Sequence, residues 1–134
     1  MSLAIFDLDN TLLRGDSDHG WGEFLVERGI VAGDTFKQAN DQFYEDYVNG
    51  TLDIEAYVAF ALSPVIDMSP AERDALHKEF MAEKIEPMIL SKAEALIAEH
   101  KQNDDTLIII TATNSFITAP IATRLGIEHL LATD

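Results

Sequence analysis

The chain has 134 residues, with 24 Asp and Glu against nine Lys and Arg, no Cys, and a net charge of −15. This length predicts one domain with a sizeable core, and the 47% hydrophobic content argues against disorder. The charge argues against nucleic acid or an anionic membrane as a partner, because both are negatively charged and bind Lys and Arg. No apolar run approaches the roughly 20 residues that span a bilayer, and the chain does not start with a basic signal region. Together with the missing Cys, these features lead us to expect a soluble, cytoplasmic protein.

The first half of the sequence predicts one strand followed by four helices. The apolar run over residues 3–6 ends abruptly at Asp7, which predicts a buried strand followed by a loop. Helical spacing then recurs in four segments, each with capping residues at its start, and the first three end at a Gly or before a Pro. The segments begin near Asp16, Asp34, Asp53 and Ser69, and end near Gly29, Gly50, Pro64 and Ile85. Four consecutive helices predict a small helical bundle, with Phe36, Phe43 and Tyr47 in its core.

The second half alternates helices and strands. A helix around residues 93–100 precedes a strand over residues 107–110, whose unbroken apolar run predicts burial on both faces. A helix over residues 115–125 and a weaker strand at residues 129–132 follow. This order predicts an α/β fold, a parallel Rossmann-like core with the helical bundle inserted after the first strand. We assign residues 1–14 and 88–134 to the core and residues 15–87 to the insert.

Small polar residues follow both convincing strands. Asp7 and Asp9 lie after the first strand and Thr111 after the second, and in an open parallel sheet ligands bind outside these carboxyl ends. Paired carboxylates suit a hard cation such as Mg²⁺, and a hydroxyl with free N–H groups at a helix start suits a phosphate. A metal and an anion cradle beside a carboxylate indicate phosphoryl transfer. The alternatives are a solvated turn, a helix cap or a calcium loop, although Leu12 stands where an EF-hand needs Gly.

The same residues resemble two motifs of the haloacid dehalogenase superfamily. Residues 5–12, IFDLDNTL, resemble its first motif, an apolar strand followed by Asp-x-Asp-x-Thr, and residues 108–111, IIIT, resemble its second. The helical insert is similar to the cap of the phosphoserine-phosphatase-like branch. The resemblance covers essentially the whole chain and implies a helical cap domain over residues 15–87.

The resemblance also implies a role for each motif residue. Asp7 would be the nucleophile that forms an aspartyl-phosphate and a ligand of Mg²⁺. Asp9 would be the general acid and then the general base, and its main-chain carbonyl would help to hold the metal. Phosphate and substrate would be bound by Leu8, Asp16, Thr111 and the N–H of Ala112.

Two departures from the family pattern change what we expect of the chain. Phosphoserine phosphatases use a cap Arg for the substrate carboxylate, and this chain has no Arg between Arg28 and Arg73. The third-motif Lys and the fourth-motif acidic pair also have no counterpart, because no Lys follows Lys101. We therefore expect an N-terminal fragment that lacks the C-terminal part of the core and is inactive alone. Its exposed sheet edge would be covered by the missing segment or by another chain.

The sequence thus predicts a Mg²⁺-dependent phosphomonoester hydrolase that acts on a small phosphorylated metabolite. Phosphotransfer to a second alcohol and a non-catalytic binding fragment remain the alternatives. Residues 15–87 hold 16 of the 24 acidic residues and five of the nine basic ones, a net charge of −11. This acidity predicts a preference for substrates with a cationic leaving group, such as an amino-alcohol phosphate.

Overall fold

The computed structural model describes residues 2–31 and 33–133. Three strands run over Leu3–Phe6 (β1), Thr106–Asn114 (β2) and His129–Thr133 (β3). The helices are Ser17–Glu27 (α1), Gly33–Asn49 (α2), Ile54–Leu62 (α3), Pro70–Phe80 (α4), Ser91–Gln102 (α5) and Ser115–Leu125 (α6). A π-helical turn at Met81–Ile85 and a 3-10 turn at Glu86–Met88 join α4 to the segment before α5. Within the described residues, no helix has the length and apolar character that crossing a membrane requires.

The chain divides into two compact units. One comprises the chain up to Ser17 and from Met81 onward, and the other is Asp18–Phe80. The first break lies three residues after the predicted boundary at residue 14, and the second lies seven residues before the one at residue 87. The assignment of the second unit as a cap domain stays a prediction.

The helix starts in the second unit follow local capping chemistry. The Asp53 side chain accepts a hydrogen bond from the Ala56 N–H at 3.1 Å, as the sequence predicts for the start of α3. Before α4, the Ser69 hydroxyl accepts from the Glu72 N–H at 3.2 Å and donates to the Glu72 carboxylate at 3.3 Å. Both contacts are between neighbours in sequence, so the helix starts are determined locally.

Aromatic side chains pack together in the second unit, where Tyr57 is buried and Phe36, Phe43 and Phe60 are half-buried. The Phe36 and Phe60 rings stack with centroids 4.4 Å apart, and the Phe43 ring lies 5.1 Å from that of Tyr57. The prediction that Tyr47 belongs to this core is wrong, since Tyr47 is 50% exposed. Tyr47 lies two residues before the end of α2, where the helix runs out towards Asn49 and Gly50.

The first unit contains a three-stranded parallel sheet in the order β1-β2-β3. The parallel α/β fold with helices inserted between the first two strands is therefore confirmed. The strands lie in the sheet in the same order as in the chain. Right-handed crossovers then place α5, before β2, and α6, before β3, on the same face of the sheet. Contacts of α5 with β2, and of α6 with β2 and β3, agree with this placement.

This one-sided cover corrects two burial predictions. Strand β1 is predicted to be buried, yet Leu3 and Ile5 are 61% and 58% exposed. The apolar run of β2 is predicted to be buried on both faces, yet only Leu107 and Ile109 are buried, and Ile110 is 43% exposed. Alternate residues of a strand point to opposite faces, so the face away from α5 and α6 keeps its apolar side chains in solvent.

Strand β2 is also longer than predicted. It continues through residues 111–114, which the sequence places in a loop after the strand. Its register against β3 is interrupted after Ile110 and resumes where Asn114 pairs with Thr133. An irregularity of this kind redirects side chains at the end of a strand, close to where ligands bind in parallel sheets.

Candidate active site

A compact loop follows β1 and presents Asp7 to solvent. The Leu8 side chain next to it is fully buried, and the Leu8 carbonyl accepts hydrogen bonds from three successive N–H groups, those of residues 11–13, at 3.0 to 3.3 Å. Asn10 has φ 58°, a left-handed conformation that Asn tolerates better than most residues. The Leu8 N–H donates to the Asp7 Oδ1 at 2.8 Å. Because its side chain is buried, Leu8 can offer a ligand only its backbone.

The far end of this loop is held in the same unit. The Arg14 N–H donates to the Met88 carbonyl at 2.6 Å, and Leu13 forms an antiparallel bridge with Ile89. Gly15 has φ 127°, in a region that side chains disfavour. Asp16 is the last residue of the loop and directly precedes the buried Ser17, the first residue of α1.

Asp9 joins the two strand ends. Its Oδ1 accepts a hydrogen bond from the Ser17 N–H, and its Oδ2 accepts one from the Thr113 hydroxyl, both at 2.7 Å. Thr113 is 104 residues away in sequence, so the loop after β1 and the end of β2 meet as the parallel topology requires. Both oxygens of the Asp9 carboxylate thus have a donor.

The end of β2 places the remaining predicted residues beside Thr113. The Thr111 hydroxyl accepts a hydrogen bond from the Thr113 N–H at 3.1 Å. Ala112 is exposed, and its carbonyl accepts from the Thr133 hydroxyl at 2.7 Å. The Asn114 side chain caps α6 by accepting from the Ile117 N–H at 3.0 Å.

Two of these contacts come from residues to which the sequence assigns no part in the site. Thr113 is recognisable only as a second hydroxyl two positions after Thr111. Ser17 is recognisable only as a capping candidate, and it acts here through its backbone N–H. Neither signal identifies Asp9 as the partner, because the pairing depends on two strands meeting in space.

The oxygen atoms near Asp7 are of the kind that Mg²⁺ prefers as ligands. Mg²⁺ prefers oxygen ligands and is held by one or two carboxylates with several waters, and Asp7 offers an exposed carboxylate. Both oxygens of the Asp9 carboxylate already accept hydrogen bonds. The Asp9 main-chain carbonyl is therefore the oxygen that would bind the metal, as the resemblance implies. No group of three or more His, Cys, Asp or Glu side chains with metal-binding geometry occurs in the part of the chain that the structure describes.

Comparison with known proteins identifies related phosphatases. The family model described as haloacid dehalogenase-like hydrolase matches residues 4–134. A histidinol-phosphatase of Neisseria meningitidis serogroup C is 42% identical over 132 residues, a match that covers 98% of this chain and 60% of the relative. Phosphoserine phosphatase SerB1 of Mycobacterium tuberculosis is 33% identical over 135 residues, which cover 97% of this chain and 43% of the relative. The chain thus spans no more than about 60% of the length of either relative.

Solved structures agree with the fold. A Bordetella pertussis Tohama I protein of unknown function has a TM-score of 0.88 and 41% sequence identity, over 99% of this chain and 60% of that one. A phosphoserine phosphatase solved as a phospho-aspartyl intermediate analogue has a TM-score of 0.64 at 16% identity, over 98% of this chain and 55% of that one. At that identity the second likeness concerns the fold alone.

Proposed function

Because the chain belongs to the haloacid dehalogenase-like hydrolase family, we propose that the protein is a phosphomonoester hydrolase that works through an aspartyl-phosphate on Asp7. The observation that carries the proposal is the pair of hydrogen bonds on Asp9, one from Ser17 and one from Thr113. They hold a carboxyl group two residues from an exposed carboxylate at the carboxyl ends of two parallel strands. Such a pair supplies a nucleophile and a proton donor side by side.

The first step transfers the phosphoryl group to Asp7. A carboxylate oxygen of Asp7 attacks phosphorus, and the bond between phosphorus and the ester oxygen breaks. Asp9 gives its proton to that oxygen, so the oxygen leaves as a hydroxyl and not as an alkoxide. Thr111, Leu8 and Ala112 bind the phosphoryl oxygens through a hydroxyl and main-chain N–H groups, and Asp16 contacts the substrate.

The second step releases phosphate. A water molecule attacks phosphorus and gives its proton to Asp9, now acting as the base, and the bond between phosphorus and Asp7 breaks. The products are inorganic phosphate and the free Asp7 carboxylate, with Asp9 protonated for the next cycle. Mg²⁺, held by Asp7 and the Asp9 carbonyl, would supply positive charge that lets an anionic ester approach an anionic nucleophile.

The substrate class we propose is an amino-alcohol phosphate. Residues 15–87 carry a net charge of −11, which favours a cationic leaving group over an anionic one. Phosphoserine phosphatases use a cap Arg for the substrate carboxylate, and the absence of Arg between Arg28 and Arg73 therefore argues against phosphoserine. The relative named histidinol-phosphatase supports this class, since histidinol phosphate is an amino-alcohol phosphate.

A substitution at Asp7 tests the mechanism. In the full-length natural protein with Mg²⁺, Asp7→Asn should abolish phosphate release and the trapping of a phosphate analogue such as beryllofluoride. Asp104→Asn, an exposed change at the turn before β2, serves as the matched control and should leave both intact. Turnover that survives in Asp7→Asn refutes the aspartyl-phosphate proposal.

A substrate panel tests the substrate class separately. Phosphate release is measured with histidinol phosphate, phosphoserine and a sugar bisphosphate at equal concentration. We expect histidinol phosphate to have the highest kcat/KM. A preference for the sugar bisphosphate refutes the charge argument while leaving the hydrolase mechanism in place.

We further propose that the missing segment or another chain covers the exposed edge of the sheet at β1. The support is that Leu3 and Ile5 of β1, the strand at the edge of the sheet, and Ile110 of β2 are apolar side chains left exposed. An exposed apolar face beside an unpaired edge strand favours association.

A further inference from the structure

Thr113 holds one side of the Asp9 carboxyl group. Thr113 is 3% exposed, and its hydroxyl donates to the Asp9 Oδ2 at 2.7 Å, a typical length for an O–H···O bond. The Ser17 N–H holds the other oxygen at the same distance. Two donors from separate parts of the chain restrict rotation of the carboxyl plane, and neither is a mobile surface side chain.

The same residue also orients Thr111. The Thr113 N–H donates to the Thr111 hydroxyl oxygen at 3.1 Å. A hydroxyl has one proton and two acceptor positions, so this bond leaves the Thr111 proton available for a phosphate oxygen. Thr113 therefore links the residue proposed to bind phosphate with the residue proposed to protonate the leaving group.

The two donors on Asp9 differ in what they can do during a proton transfer. A main-chain N–H can only donate, so Ser17 offers the same contact throughout. A hydroxyl can donate to the Asp9 carboxylate, as here, and can accept the acid proton of Asp9 when no substrate is bound, so Thr113 can stay bonded to Asp9 in both protonation states of the resting site. The hydroxyl, more than the bulk of the side chain, is therefore what suits this position.

We infer that Thr113 is a positioning residue that orients Asp9 for proton delivery to the leaving group. The inference rests on the proposed function, in which Asp9 is the general acid. It predicts that removing the Thr113 hydroxyl lowers kcat/KM more for a substrate whose leaving group must be protonated than for one whose leaving group need not be. An alkyl alcohol must be protonated as it leaves, whereas 4-nitrophenolate leaves without a proton.

The test compares two substrates in variants of the full-length natural protein. Thr113→Val removes the hydroxyl and keeps the shape, and Thr113→Ser keeps the hydroxyl. We expect Thr113→Val to lower kcat/KM for histidinol phosphate about 10- to 100-fold, and for 4-nitrophenyl phosphate less than about 3-fold. Thr113→Ser should restore both values to within about 3-fold of the natural protein.

Thr118→Val is the matched control. Thr118 is fully buried, and its hydroxyl donates to the Asn114 carbonyl at 2.9 Å, outside the proposed chemistry. This change should lower thermal stability and leave the ratio of the two kcat/KM values unchanged. The inference is overturned if Thr113→Val slows both substrates equally or neither. Turnover that persists in Asp7→Asn would instead overturn the proposed function.

Discussion

The indole N–H of Trp21 donates to the Ala61 carbonyl at 3.1 Å, which ties α1 to α3 inside the Asp18–Phe80 unit. Trp21 is fully buried, and its ring meets that of Phe80 edge-on with centroids 5.0 Å apart. One side chain thus connects three of the four helices in this unit. It is also the sole Trp of the chain, so its fluorescence reports on this unit.

Trp21→Phe should destabilise the protein by about 1–3 kcal/mol, because it leaves the Ala61 carbonyl without this donor and leaves a void beside Phe80. Urea unfolding followed by far-UV circular dichroism measures the change. Val48→Ala, at a 65% exposed site near the end of α2, should stay within about 0.5 kcal/mol of the natural chain. Equal stability of Trp21→Phe and the natural chain would contradict the role assigned to Trp21.

Gly22→Ala should be destabilising although Ala favours helices. A Cβ at Gly22 would lie 2.5 Å from atoms of the Asn40 side chain, which is buried and donates to the His19 carbonyl at 3.3 Å. We expect a loss of about 1–3 kcal/mol in the free energy of unfolding, since overpacking outweighs the gain in helix propensity of up to about 1 kcal/mol.

Two further variants test that explanation for Gly22. Gly33→Ala should not destabilise, because its Cβ would make only an ordinary contact with Val26 at 3.8 Å. Adding Asn40→Ala to Gly22→Ala should recover part of the loss, and a double-mutant cycle measures the coupling between the two sites. Strictly additive effects would show that Asn40 is not the obstacle.

Asp105 should give the protein a pH-dependent stability at acid pH. Its carboxylate lies 2.8 Å from the His100 ring and also accepts from the Ser2 N–H at 3.0 Å. The hydrogen bond to His100 is the main cause that holds the pKa of Asp105 below its ordinary value of 3.8. A lowered folded-state pKa stabilises the fold above the unfolded pKa, and this contribution disappears as pH falls through the folded pKa.

Asp105→Asn should therefore lower the thermal midpoint at about pH 5 to 7, and the difference from the natural chain should shrink as the pH falls below the ordinary Asp pKa and through the lowered pKa of Asp105. Differential scanning calorimetry across this range measures both limits. Asp104→Asn, at the exposed neighbouring position, should show no such convergence. A midpoint difference for Asp105→Asn that persists unchanged at the lowest pH would contradict the prediction.

The open face of the sheet should bind an apolar dye in the 134-residue chain. Ile5→Thr, at a 58% exposed site, should reduce binding of such a dye and change stability by less than about 0.5 kcal/mol. Ile109→Thr, at a fully buried site, should cost about 2 kcal/mol or more. Dye fluorescence that Ile5→Thr leaves unchanged would locate the binding surface elsewhere and remove the support for a cover over the sheet edge at β1.

Local sequence patterns predicted most of the secondary structure and both acidic residues of the candidate site. The Asp53 cap and the Ser69 to Glu72 capping box involve groups a few residues apart. Asp7 and Asp9 stand out because an apolar strand ends directly before them. Each of these signals lies within one short window of sequence.

Burial and the partners of Asp9 depended on the tertiary structure. Leu3, Ile5 and Ile110 are as apolar as Ile109, and their exposure follows from helices packing on one face of the sheet. The bond between Thr113 and Asp9 joins residues 104 positions apart, which only the parallel pairing of β1 with β2 brings together. Periodicity and capping are properties of neighbours along the chain, whereas a shared face or a shared strand end exists only after distant segments have packed.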